Sequence, residues 1–183
     1  MTEQPLTIGW ALFDTALGTC AAAWSARGLT AVRLPEPPAA LRAKLARRFP
    51  GVAEAEPPPW LAPIIQAMQA LLAGEPADLT AAPLDMGPLP EFEARVYAAA
   101  RAIPPGRAVT YGELAAAIGE PGAAQAVGKA LGRNPVPIVV PCHRIVGAGG
   151  RMVGFSAPGG AATKRKLLAI EGARLGDEPD LFS

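Results

Sequence analysis

The residues with chemistry to offer are concentrated in one stretch, Asn134-Pro135-Val136-Pro137-Ile138-Val139-Val140-Pro141-Cys142-His143-Arg144-Ile145-Val146. A cysteine thiolate is a strong nucleophile, and a neighbouring imidazole or guanidinium can lower the thiol's pKa or relay its proton. Three prolines fix φ and the β-branched residues among them favour extended backbone, so the stretch predicts a rigid, buried strand with Cys142 at its end. Neighbours along a strand point to opposite faces, so a direct bond between Cys142 and His143 is not assumed, and a bridging water would connect them. An isolated cysteine is ordinarily a small buried hydrophobe; the Pro-Cys-His-Arg setting is what favours a reactive role here. Cys20, in an Ala-rich segment, reads as packing. With 2 Cys and 1 His in the chain, neither a disulfide framework nor a Cys/His zinc site is supported, so no metal and no cofactor are expected.

These residues need a scaffold, and the flanking sequence supplies one. Glu91 to Ile103 predicts a helix with acids in its first turn, stopped by Pro104-Pro105-Gly106. Thr110-Tyr111-Gly112-Glu113 has the form of a capping box and starts a short helix through Ile118, ended by Gly119. Pro121 suits the first turn of a second helix running through Gln125, Val127, Lys129 and Leu131 to Gly132, so two short helices meet at a glycine-containing turn, as in a helix-turn-helix. The second of them is built from small residues, which permit close approach to another surface or close packing inside the protein. Earlier in the chain, segments around Ile8–Phe13, Thr19–Trp24 and Leu29–Leu34 read as short antiparallel strands. Leu41, Leu45 and Phe49 mark an amphipathic helix over 39–49, and 60–73 forms another, with Gly74 as its stop. Pro and Gly crowd the stretch 75–90, where the boundary between an N-terminal domain, 1–88, and a C-terminal domain, 89–183, is placed.

Charge divides along the same line. Residues 1–89 carry 6 Lys/Arg against 8 Asp/Glu, and residues 90–183 carry 11 against 8. Three of the latter acids, Asp177, Glu178 and Asp180, lie in the tail, so the remainder of the second half has a basic bias compatible with a polyanion. No apolar run is long enough to span a bilayer and the first residues lack the layout of a signal peptide, so a cytoplasmic protein is expected, without membrane contact.

In its second half the sequence resembles the O6-alkylguanine-DNA alkyltransferases, also called methylated-DNA–protein-cysteine methyltransferases. Pro141-Cys142-His143-Arg144-Ile145-Val146 matches their active-site signature. Thr110-Tyr111-Gly112-Glu113-Leu114-Ala115, Ala126-Val127-Gly128, Asn134-Pro135, Gly154-Phe155-Ser156 and Leu167-Leu168-Ala169-Ile170-Glu171-Gly172 follow in the family's order, so the resemblance covers essentially all of 90–175. It implies an α/β fold: a small N-terminal antiparallel sheet with helices, ribonuclease H-like, and a mainly helical C-terminal domain with a winged-helix-like helix-turn-helix. It implies stoichiometric transfer of an alkyl group from O6-alkylguanine in double-stranded DNA, bound through the minor groove by a monomer, to Cys142. The damaged base would be flipped out of the stack to reach the thiol.

By the same resemblance His143 takes the thiol proton through water, Glu171 holds His143, Tyr111 donates to the leaving guanine and Asn134 orients the segments around the thiol. Ala124, Gln125, Gly128, Lys129, Arg133 and Arg144 are implied at the DNA, and Val139, Phe155 and Ser156 at the base pocket. Two positions depart from the pattern. Gln125 stands where the family carries an arginine that fills the gap left by the flipped nucleotide, and it lacks that residue's charge and planar fork. Phe155 stands where many members have tyrosine. Gln125 keeps open an alternative: a damage-recognition protein with weak or altered transfer. A turnover cysteine hydrolase would need an oxyanion hole that the sequence does not display.

Overall fold

A computed structural model of the chain describes residues 5–153 and 159–173. It is a mixed α/β structure that divides into two compact units, Met1–Pro88 and Leu89–Ser183. The first unit opens with one antiparallel sheet whose strands β1 (Gly9–Thr15), β2 (Gly18–Trp24) and β3 (Leu29–Arg33) lie in chain order. Thr15 faces Gly18 across the first turn, where Gly18 takes φ 128°, a conformation that only glycine adopts without strain. The central strand is buried on both faces, which accounts for its run of alanines, Ala21 to Ala23.

Helix α1 (Pro38–Arg48) lays Leu41 and Leu45 against Trp10, Ala21, Ala23 and Ala31 of the sheet. Each of these buried leucines contributes on the order of 2 kcal/mol. Helix α2 (Ala62–Leu72) buries Ile65, Met68, Leu71 and Leu72, and Gly74 beyond it takes φ 84°. Cys20 is fully buried with its thiol pushed up to about 12, first by burial, so its role is packing. Part of the proline-rich stretch is tied into this unit. Leu84 bridges Leu29, and the buried Asp85 carboxylate accepts from Ser25 Oγ at 2.5 Å and from Arg27.

The second unit contains α3 (Glu91–Arg101), β4 (Val109–Thr110), α4 (Tyr111–Ala117), α5 (Ala124–Gly132), β5 (Ile145–Val146) and α6 (Gly160–Ile170). Thr110 caps α4 as its sequence predicts: Glu113 N donates to Thr110 Oγ1 at 3.1 Å, and Thr110 N donates to Glu113 Oε2 at 2.7 Å. Pro121 does not lie in the first turn of α5, however. Gly122 at φ 89° keeps the chain out of the helix until Ala124. The parallel β4–β5 pair, two residues a side, was below the length at which a strand pattern shows in sequence. It sets Thr110, and hence the start of α4, beside Val146. None of the described helices is long and apolar enough to cross a membrane.

The largest correction concerns the cysteine segment. Residues 134–141 form no strand; they turn, and Cys142 opens a short 3-10 helix, Cys142–Arg144. The prolines restrict φ without imposing pairing, and Ile138 takes φ 74°, a left-handed conformation that breaks any extended run and is rare for a β-branched side chain. Cys142 and His143 therefore do not point to opposite faces of a strand, and the geometric reason for a water between them disappears.

Candidate active site

The thiol is held by the turn that precedes it. Val140 N donates to Val136 O at 2.9 Å and Cys142 N to Val140 O at 2.8 Å, folding the chain back on itself. Asn134 closes this loop from inside: its Nδ2 donates to Val140 O at 2.8 Å and its Oδ1 accepts from Val136 N at 3.0 Å. Val139 lies buried within the turn. Cys142 itself is half-buried. Burial pushes its thiol up, against the opposing pull of Asn134, of the Lys164 charge and of backbone N–H groups at 142 and 143, and burial prevails. The resting group is therefore a thiol.

His143 is buried, and its Nε2 lies 2.8 Å from Glu171 Oε1. Burial draws the imidazole's pKa down further than the Glu171 charge raises it, so the ring is neutral at neutral pH. Glu171 is ionised: burial raises its pKa, but the bonds from His143 and Arg144 outweigh it and hold the carboxyl at about 2. An ionised carboxylate accepts only, so His143 donates from Nε2 and Nδ1 carries the free lone pair, a tautomer assigned from the network. Arg144 completes the arrangement, donating from Nε and Nη2 to the two Glu171 oxygens at 3.0 and 2.7 Å and from Nη1 to Ile103 O at 2.7 Å. With only 4 % of its surface exposed, Arg144 is a buried brace, which argues against the DNA contact expected of it.

A second polar group faces the thiol from α4 and α6. Tyr111 Oη donates to Val153 O at 2.7 Å, and Lys164 Nζ donates to the same carbonyl at 3.1 Å and to Tyr111 Oη at 3.3 Å. Lys164 is fully buried, and its ammonium also lies 5.4 Å from the Tyr111 ring centroid. Burial lowers its pKa to about 8, against which only a Cys142 thiolate would work, and burial raises Tyr111 to about 12. The sequence reading missed Lys164, taking no notice of Lys164-Arg165-Lys166. Its signal was periodicity: Lys164 shares the buried stripe of Leu167 and Leu168 at three- and four-residue spacing.

Of the residues expected at DNA, Gln125 and Lys129 are exposed on α5 and Ala124 and Gly128 half-buried. Gly128 sits over Tyr111: a Cβ there would lie 3.7 Å from the ring. Arg133 is exposed at the end of α5 and ion-paired with Glu93. Phe155 and Ser156 lie outside the described residues. Cys142, His143, Glu171, Asn134 and Tyr111 thus converge on one site, with α5 as its neighbouring exposed helix.

Comparison with known proteins agrees with this geometry. Residues 91–173 match the family model described as 6-O-methylguanine DNA methyltransferase, DNA binding domain. A methylated-DNA–protein-cysteine methyltransferase of Mycolicibacterium paratuberculosis is 53 % identical over 81 residues, covering 44 % of this chain and 48 % of the relative. One from Salmonella typhimurium is 52 % identical over 81 residues, 44 % of this chain and 46 % of the relative. The matched segment thus spans about half the length of these curated relatives. Over the whole fold, the crystal structure of the Mycobacterium tuberculosis O6-methylguanine methyltransferase superposes with a TM-score of 0.70 at 32 % identity, covering 96 % of this chain and 99 % of that one. The same organism's protein in complex with DNA gives a TM-score of 0.71 at 32 % identity, with 96 % and 100 % covered. A half-buried cysteine beside a buried His-Glu pair and near-complete coverage of a solved relative lead to one conclusion: the chain belongs to the methylated-DNA–protein-cysteine methyltransferase family.

Proposed function

We propose that the protein repairs O6-alkylguanine in double-stranded DNA by moving the alkyl group to its own Cys142, once per molecule. In this reading the thiol proton passes to His143 Nδ1, directly or through one water, while Glu171 steadies the imidazolium that forms. Sulfur attacks the alkyl carbon; the new S–C bond forms as the C–O6 bond breaks, and the bonding pair leaves on the guanine. A proton from Tyr111 Oη neutralises that anion. Tyr111 now spends its proton on Val153 O, so the bound base must displace this carbonyl as acceptor, while Lys164 keeps the phenol oxygen in place. The thioether resists hydrolysis, which makes the protein a consumed reagent rather than a turnover catalyst.

The C-terminal unit, 89–183, is read as the DNA-binding and alkyl-acceptor domain of winged-helix-like type, and 1–88 as a ribonuclease H-like N-terminal domain. Helix α5 would enter the minor groove with Ala124, Gln125, Gly128, Lys129 and Arg133, and Val139, Phe155 and Ser156 would line the base pocket. A duplex hides the O6 substituent, so the base must be flipped, at a cost of a few kcal/mol. The observation that carries the proposal is the half-buried Cys142 thiol sharing one site with the His143–Glu171 pair and the Tyr111–Lys164 pair. The test is a titration of an O6-methylguanine duplex with protein, counting repaired guanines. Repair that stops at one per molecule supports the proposal. Binding without loss of the methyl group would assign a damage sensor, and repair beyond one per molecule a turnover enzyme.

A further inference from the structure

Helix α3 grips the α4–α5 pair at three places. Tyr97, 2 % exposed, donates from its hydroxyl to Ala130 O at 2.7 Å, fixing the last turn of α5. Arg95 donates to Ile118 O and pairs with Glu120 at 3.4 Å, holding the turn between the helices. Glu93 takes the third place, ion-paired with Nη2 of Arg133.

The third contact differs in kind. Tyr97 and the Ile118 carbonyl are internal groups, but Arg133 keeps 60 % of its side chain exposed while Glu93 keeps only 14 %. The carboxylate faces inward and the guanidinium outward. Glu93 engages Nη2 of a group with five N–H donors in a planar fork, so the second Nη2 hydrogen and the N–H beside it stay able to form the paired hydrogen bonds that suit a phosphate. Arg133 is also one residue from Asn134, whose amide closes the Cys142 turn. An anion held at Arg133 is therefore tied to the cysteine turn through the neighbouring Asn134.

We propose that Glu93 is a positioning residue that presents Arg133 to a single DNA phosphodiester, and that this contact sets the register of the duplex relative to Cys142. The proposal rests on the DNA-repair reading. Two consequences separate it from a merely structural ion pair. Arg133→Gln removes one phosphate contact, so the slope of log affinity against log salt for a duplex, damaged or not, should fall by about one. Glu93→Gln leaves the cation in place, so the slope should stay, and binding should hold or tighten as a nearby negative charge is lost. Its single-turnover transfer at saturating duplex should nonetheless slow about tenfold, because the phosphate is no longer held in register.

The experiment measures salt-dependent binding and single-turnover transfer with an O6-methylguanine duplex for the wild-type protein and both variants, with thermal unfolding to verify folding. An Arg133→Gln slope equal to wild type overturns the phosphate contact, and a Glu93→Gln transfer rate equal to wild type overturns the positioning role. If a variant fails to fold, Arg133→Lys takes its place: it keeps the charge and slope but loses the fork, and should transfer slowly; wild-type transfer by it overturns the proposal. Failure of the wild-type protein to transfer at all would instead sink the repair reading.

Discussion

Replacing Glu171 with glutamine tests the core of the site, because three hydrogen bonds converge on that carboxylate: His143 at 2.8 Å and Arg144 at 3.0 and 2.7 Å. The substitution keeps shape and removes charge. Holding the carboxyl at about 2 instead of the usual 4.5 corresponds to about 3 kcal/mol, at about 1.36 kcal/mol per unit. The neutral amide also leaves the Arg144 guanidinium buried without its counter-charge, the situation in which breaking a buried pair costs about 3–5 kcal/mol. With a urea m-value of about 2 kcal/mol/M, the unfolding midpoint of Glu171→Gln should drop by about 2 M. The sign of the pH dependence follows from the lowered pKa: the stabilisation is complete above the usual 4.5 and is lost as pH falls toward 2. An amide can donate or accept, so the His143 tautomer is no longer fixed and transfer from duplex DNA should slow by about 100-fold. Urea unfolding by circular dichroism and single-turnover kinetics check both halves. A midpoint and a rate unchanged from wild type would refute the ion-pair account of this site.

Other outcomes follow from the same geometry. Lys164→Met removes a buried ammonium whose pKa burial has lowered; the variant should unfold at higher urea than wild type yet transfer more slowly, since Tyr111 loses its donor and the sulfur its cation. In the wild type, transfer should fall as acid protonates His143, with a midpoint below the ordinary 6.5, as measured by a single-turnover pH profile. Asn134→Ala strips the turn of the bonds to Val140 O and Val136 N and should cost about 1–3 kcal/mol in unfolding free energy. Gln125→Arg should speed transfer from duplex DNA if the missing guanidinium limits flipping, and an equal rate would discard that explanation of Gln125.

Local rules made much of this molecule legible in advance. The Thr110 box, the glycine stops and the four-residue spacing of Leu41 and Leu45 each act within a few residues, and helices formed where they point. The cysteine segment was misjudged because β-propensity describes residues that have a partner strand, and residues 134–141 have none. Asn134 and Ile138 turn the chain instead, through bonds that only the folded loop reveals. Pro121 was misplaced because Gly122 intervenes with a left-handed φ. Lys164 escaped notice, although its position on the Leu167–Leu168 face decides its burial. Cys142, His143 and Glu171 were legible as a signature in one order, but the role of Arg144 as a brace on Glu171 required coordinates.

The account stands or falls on the fate of one sulfur. After incubation with an O6-methylguanine duplex, intact mass and peptide mapping should find one methyl group per protein molecule, carried as a thioether on Cys142 and absent from a Cys142→Ser variant. An unmodified Cys142 alongside repaired DNA, or a methyl group on any other residue, would contradict it.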